Sequence, residues 1–198
     1  MIEDPRLIQI RRYLERRPAS ALGRPAGTDE AAVSIVLRPR EELELLLIKR
    51  AVYEGDPWSG HMALPGGRRG PEDESLLVTA LRETREETSV AVPSEGALLG
   101  TLDEVKPHSP HLPSIVIAPF VVGVYPETDA QPDEREVEAT IWVPLPALRR
   151  PDAVGEILVA LEDGKRAFPT IHYGPYAIWG LTHRILMQFL NVVEEVGL

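Results

Sequence analysis

The chain contains no cysteine, which excludes disulfides, thiolate nucleophiles and Cys-ligated zinc. Cationic residues are outnumbered. There are 21 Lys and Arg against 31 Asp and Glu, a formal net charge of −10. Such a surface argues against nucleic-acid binding, which wants a basic footprint. It also repels a small anionic substrate unless a cation or local arginines intervene. No apolar run is long enough to span a bilayer, and the opening MIEDPRLIQIRRYLERR lacks the apolar stretch of a secretory leader. The terminal EEVGL carries no lipidation or peroxisomal signal. The expectation is a cytoplasmic enzyme or binding protein, monomer or homodimer, with neither membrane nor nucleic acid as partner.

What is present reads as one domain of 198 residues, a length that suffices for a single core. Asp4 and Pro5 cap and start a helix over residues 5–17, and residues 18–29 form a Pro- and Gly-rich linker, so 1–29 is an N-terminal helix and linker. Strands are predicted over residues 31–37 and 43–48, joined by RPREE. Residues 53–73 are a long Gly/Pro-rich loop with a short strand at 61–64, and a loop of that length is often functional. A helix follows over 75–88, capped by Asp73 or Ser75, with Leu77, Ala80, Leu81 and Thr84 as its apolar side. Strands at 96–105, 114–124 and 139–143, a short helix or turn at 144–150, and a final helix from about 176 to 196 complete the reading. The strand at 114–124 is nearly all apolar and so central. Helices and strands are interspersed without regular βαβ repeats. That gives an α+β fold, an α/β/α sandwich with a mixed central sheet between helices.

Within the helix at 75–88, RETREET places Glu83, Glu86 and Glu87 at i, i+3 and i+4, so three carboxylates share one face. Pairs of like charge at that spacing repel by a few tenths of a kcal/mol. From the helix alone this is a solvated surface with an ordinary Arg82–Glu86 pair. The preceding LPGGRRGPEDE changes the balance. Gly66 and Gly67 allow a tight turn and close approach of backbone to a ligand. A glycine loop feeding a carboxylate cluster resembles a site for a hard divalent cation such as Mg²⁺, which prefers oxygen ligands completed by water and substrate phosphate. A cation would relieve the repulsion and bridge an acidic protein to a phosphate.

These residues resemble the Nudix hydrolase signature, which runs Gly, five residues, Glu, seven residues, then Arg-Glu-apolar-x-Glu-Glu-x-Gly-apolar. Glu74, seven residues, and Arg82-Glu83-Thr84-Arg85-Glu86-Glu87-Thr88-Ser89-Val90 follow it. Three positions depart from it. Arg68 stands where the first glycine belongs, as if one residue were inserted after Gly67; Thr84 replaces an aliphatic residue; Ser89 replaces glycine after the helix. The longer loop is similar to that of the coenzyme A pyrophosphatase branch. The resemblance implies the Nudix fold and hydrolysis of a nucleoside diphosphate linked to another group, with Mg²⁺ or Mn²⁺ as cofactor. It implies Glu83, Glu86, Glu87 and the Gly67 carbonyl as metal ligands, and Arg82 orienting a box glutamate with Glu74 as its partner. A glutamate outside the box sometimes acts as base; Glu136 is the candidate and Glu138 the second, each equally readable as a solvated loop charge.

Upstream, Leu46-Leu47, Arg50, Gly60 and Pro65-Gly66-Gly67 align with the coenzyme A branch pattern LLTxRSxxLxxHxGQxxFPGG, while Ala51, the Glu54–Trp58 stretch and His61 depart from it. The C-terminal YGPYAIWGLTHRIL is also similar to that branch. Arg50, Gly66 and Arg68 are candidate substrate contacts, Arg50 being equally readable as an exposed strand-end charge. Trp58 either stacks on a base or caps the loop onto the core. His108, His111, His172 and His183 read as polar surface or packing. The substrate is expected to be a small-molecule nucleotide, foremost coenzyme A or a derivative. ADP-ribose, NADH and dinucleoside polyphosphates are the rivals, and a non-catalytic Nudix-fold nucleotide sensor is the alternative of another class.

Overall fold

The structure is a computed structural model, and it describes residues 3–55, 59–107, 113–161 and 164–198. Trp58, His108 and His111 lie outside the described residues. In chain order the elements are α1 (Pro5–Arg16), β1 (Asp29–Pro39), β2 (Leu43–Arg50), β3 (Met62–Ala63), β4 (Gly66–Arg68), α2 (Leu76–Thr88), α3 (Val92–Glu95), β5 (Gly96–Thr101), β6 (Ile115–Val124), β7 (Val137–Pro144), α4 (Leu145–Leu148), β8 (Val154–Leu161), β9 (Gly164–Tyr173), β10 (Tyr176–Trp179) and α5 (Gly180–Glu195).

The main sheet is mixed. β6 lies between β1, to which it is parallel, and β5, to which it is antiparallel. Alternation along the strands shows why both faces are covered. Ile35 and Leu37 of β1 and Leu43, Leu45 and Leu47 of β2 point into one core shared with α1 and α5. Val36 and Leu46, between them, point into a second core on the opposite face, where Leu81 of α2 packs. Burial on both faces is what makes these strands read as continuous apolar runs. The result is the expected sandwich of helices on either side of a mixed sheet. Among the described residues no helix is long and apolar enough to cross a membrane.

β1 and β2 pair only near their hairpin end, at Leu37–Leu45 through Pro39–Leu43, and then diverge. β4 takes up the freed edge of β1 (Ala31–Arg68 to Val33–Gly66), and β3 pairs with β2 at Lys49–Met62. The glycine turn is therefore laid into an opening of the sheet, directly beneath α2.

Three expectations are corrected. The C-terminal helix begins at Gly180, not near residue 176, because Tyr176–Trp179 pairs with β9. The stretch 151–175, to which the sequence reading assigned no element, supplies most of a second antiparallel sheet in the order β10–β9–β8. The inward side of α2 is also more polar than predicted. Thr79, Ala80, Thr84, Glu87 and Thr88 are buried, while Leu77 and Leu81 are half-buried. Thr84, the departure from an aliphatic residue, donates its hydroxyl to Ser34 Oγ of β1 at 2.7 Å and can alternatively reach the Ala80 carbonyl. A buried hydroxyl so partnered carries little desolvation penalty.

Candidate active site

α2 starts at Ser75, whose hydroxyl accepts the Val78 N–H, and ends at Ser89, held at φ 62°. A non-glycine residue in that left-handed region costs about 1 kcal/mol. The loop before β7 closes over this helix end. Gln131 N–H donates to the Thr88 carbonyl at 2.8 Å and Asp133 N–H to the Glu87 carbonyl at 3.1 Å, so the last carbonyls of α2 are satisfied by the segment leading to Glu136. From the other side, Ala51 N–H donates to the Glu136 carbonyl at 2.9 Å. Glu136 is thereby held between the end of α2 and the end of β2.

Glu87 is only 3% exposed. Its Oε2 accepts the Gly66 N–H at 2.8 Å. Burial pushes its carboxyl up to about 8, the Gly66 N–H opposes, and the charges of Glu83 and Glu136 raise it further while Arg50 lowers it. Glu83 is raised in the same direction by burial, against the pull of Arg82, with Glu86 and Glu136 adding to the rise. Glu83 and Glu136 thus lie near enough to Glu87 to raise its carboxyl, Glu136 lies near enough to Glu83 to do the same, and Arg50 lies near enough to Glu87 to oppose that rise. Glu138 is held elsewhere by Lys49 at 2.6 Å.

Arg82 organises the other side. Its Nε and Nη2 donate to both oxygens of Asp73, at 3.0 and 2.8 Å, and its Nη1 reaches Glu83 at 2.9 Å and Glu86 at 2.8 Å. Asp73 also accepts from Gly70 N–H at 2.8 Å and Thr79 Oγ1 at 3.0 Å; the Arg82 guanidinium first, and these bonds after it, hold its carboxyl well below the usual range against the opposing effect of burial. The expected partner, Glu74, is exposed; Asp73 takes its place. The spacing is ambiguous between the two acids: five residues separate Gly67 from Asp73, and seven separate Glu74 from Arg82. The extra residue lies between the acid and the helix rather than after the glycine.

The two glycines differ in what they permit. A Cβ on Gly66, at φ +152°, would strike the Ala32 carbonyl and Val33 of β1, whereas the nearest atoms to one on Gly67 are those of the Glu83 carboxyl, 2.5 Å away. Gly66→Ala is therefore expected to destabilise the fold by about 3 kcal/mol. Gly67→Ala should leave the urea midpoint nearly unchanged, because the end of a flexible side chain can move, yet lower activity ~10–100-fold by displacing Glu83. Equal loss of stability in both variants would refute that division of roles. Arg68, on β4, is exposed and pairs with Asp29 at 3.1 Å.

The donors around this space are carboxylates and backbone, all oxygen on the acceptor side, which suits a hard cation such as Mg²⁺ or Mn²⁺. Burial makes Glu87 and half-buried Glu83 reluctant to ionise, and such an ion would offset that cost. Among the described residues no three His, Asp or Glu side chains already stand together as a ligand set; Glu86 is turned to Arg82.

The NUDIX domain model matches residues 28–161, and the chain belongs to the Nudix family. It is a pyrophosphohydrolase of that family, acting on phosphorus-containing acid anhydrides, and members of the family generally use divalent metal ions. In particular, it is 32% identical over 179 residues to the human mitochondrial coenzyme A diphosphatase NUDT8, covering 88% of this chain and 72% of that protein. A Schizosaccharomyces pombe protein without a characterised function is 36% identical over 126 residues, 62% of this chain; the chain spans only 37% of that relative's length. A MutT/nudix family protein from Enterococcus faecalis superposes with a TM-score of 0.55 at 20% identity, covering 98% of this chain and 76% of that one, which shows the shared fold.

Proposed function

We propose that this chain is a Mg²⁺- or Mn²⁺-dependent diphosphatase of coenzyme A or its derivatives. The observation that carries the chemistry is the buried Glu87 carboxyl, bonded to the Gly66 N–H of the glycine turn and close enough to Glu83 and Glu136 to feel their charge. The similarity to NUDT8 supports the substrate. Glu83, Glu86, Glu87 and the Gly67 carbonyl would hold the ion. Few protein ligands suffice for Mg²⁺, which keeps waters and takes substrate phosphate oxygens. When bound, the ion supplies Lewis-acid polarisation of the phosphoryl oxygens and a more acidic water.

The chain's own residues do the rest. Arg82, anchored on Asp73, holds Glu83 and Glu86 in orientation. Glu136 accepts the proton of the attacking water as general base. Arg50 and Arg68 meet the negative charge of the diphosphate, and the Gly66 backbone lines its seat. Water adds across the P–O–P anhydride, giving 4′-phosphopantetheine and adenosine 3′,5′-bisphosphate. ADP-ribose, NADH and dinucleoside polyphosphates are the rival substrates, left open by the incomplete upstream pattern at Ala51, the Glu54–Trp58 stretch and His61.

A substrate panel tests this. Coenzyme A should show the highest kcat/KM of the set with Mg²⁺ or Mn²⁺, and a chelator should stop turnover. A preference for ADP-ribose would replace the substrate; binding without turnover of any diphosphate would favour a sensor.

A further inference from the structure

We infer that one face of the second sheet is a subsite for an elongated, weakly polar arm of the substrate, on the far side of the diphosphate from the nucleoside. The inference rests on the diphosphatase reading above. Register fixes the face. Trp179 lies opposite Thr170, Ile157 opposite Phe168 and Val159 opposite Arg166. Directly opposed residues and those two apart along a strand share a side. Trp179, Phe168, Ile157 and Val159 therefore form one strip, and all four are half-buried. The Phe168 and Trp179 rings stand 5.5 Å apart at 50°. From Thr170 to Arg166 the strip is ~14 Å long at the usual rise per strand residue.

The strip joins the catalytic space. The His61 ring meets the Trp179 ring edge-on at 4.7 Å. The His61 carbonyl accepts the Arg50 N–H at 3.0 Å, and the Arg50 charge is close enough to lower the Glu87 carboxyl. An aromatic contact at the strip's near end is thus one residue removed from the edge of the diphosphate site. Position in the chain points the same way. The reaction centre lies inside the segment common to the family, residues 28–161, whereas Phe168 and Trp179 lie beyond it. Ile157 and Val159 fall within the common segment, so the strip extends the shared fold by its two aromatic residues, which suits the part of the substrate that differs between relatives. An elongated, largely apolar strip with the Thr170 hydroxyl on its side and Arg166 beside its far end matches an extended, weakly polar arm better than a compact polar sugar.

The test compares two substrates on the full chain. With Phe168→Ala, the ratio of kcat/KM for coenzyme A to that for ADP-ribose should fall ~10-fold, through KM rather than kcat. Val159→Glu, at the distal end of the strip, should lower the same ratio. It covers the case in which Phe168→Ala fails to fold. Equal losses on both substrates would assign the strip to the shared adenine and overturn the inference, as would no change on either. Binding separates this from the substrate proposal. Phosphopantetheine should quench tryptophan emission saturably in the unmodified protein and several-fold more weakly in both variants. If coenzyme A is not hydrolysed yet that pattern appears, the substrate reading fails and the subsite stands. If coenzyme A is hydrolysed and the pattern is missing, the subsite fails alone.

Discussion

Replacing Glu87 by Gln is expected to cut hydrolysis about a thousandfold and, in chelator, to make the protein more stable than the unmodified chain at alkaline pH. The first effect follows if Glu87 is a metal ligand, since Lewis-acid stabilisation is worth several kcal/mol and each 1.36 kcal/mol is a factor of about ten. The second follows from burial. The Glu87 carboxyl is pushed up to about 8 from an ordinary value of 4.5. The folded state then holds a proton that the unfolded chain releases, so stability is lost as pH rises from about 4.5 through about 8, by up to ~1.4 kcal/mol per pH unit. Gln keeps an oxygen for the Gly66 N–H and has no proton to lose. Urea melts of both proteins at pH 5 and pH 8.5 in chelator should therefore cross. Mg²⁺ should raise the melting temperature of the unmodified protein more at pH 8.5 than at pH 6.5, and should do little for the variant. Parallel pH profiles, or a variant with undiminished turnover, would remove Glu87 from the metal site.

The second large effect is at Asp73. Its side chain is 4% exposed and takes both nitrogens of a forked contact from Arg82. Asp73→Asn leaves a guanidinium against an amide and is expected to cost about 3 kcal/mol, as removal of one partner of a buried pair does. Activity should fall as well, because the same guanidinium holds Glu83 and Glu86. The pH sign is opposite to that of Glu87. A carboxyl held below its ordinary value contributes stability that is present above about pH 4 and lost as pH falls towards its folded value. The variant should therefore lose less on acidification below pH 4 than the unmodified chain. Glu74→Gln, one residue away and exposed, should stay within about 0.5 kcal/mol. The reverse ranking would restore Glu74 as the partner of Arg82.

That last pair shows where reading a sequence stops. The box RETREET, the glycines before it and the apolar strand at 114–124 were legible, because each announces itself by local spacing: helical for the carboxylates, continuous for a strand buried on both faces. The partner of Arg82 was not. Asp73 and Glu74 are adjacent acids, and the choice between them depends on which carboxyl the loop turns inward to Gly70 and Thr79. The second sheet escaped notice for a related reason. Its strands are half-exposed and carry Gly, Pro and charged residues, as in GKRAFPTIHY, so neither a continuous nor a clean alternating pattern marks them.

Residue types at fixed separations along one helix carry the family, the carboxylate cluster and the need for something to offset its repulsion. The tertiary structure alone decided which carboxylate is buried and thereby hard to ionise, because Glu87 owes that to the sheet and to the Gly66 turn rather than to its neighbours in the chain. It alone also brought Glu136, His61 and Trp179 towards the same site. Those contacts are made by loops and strands far apart in sequence, and their meeting is fixed by how β1 and β2 part and by what fills the gap.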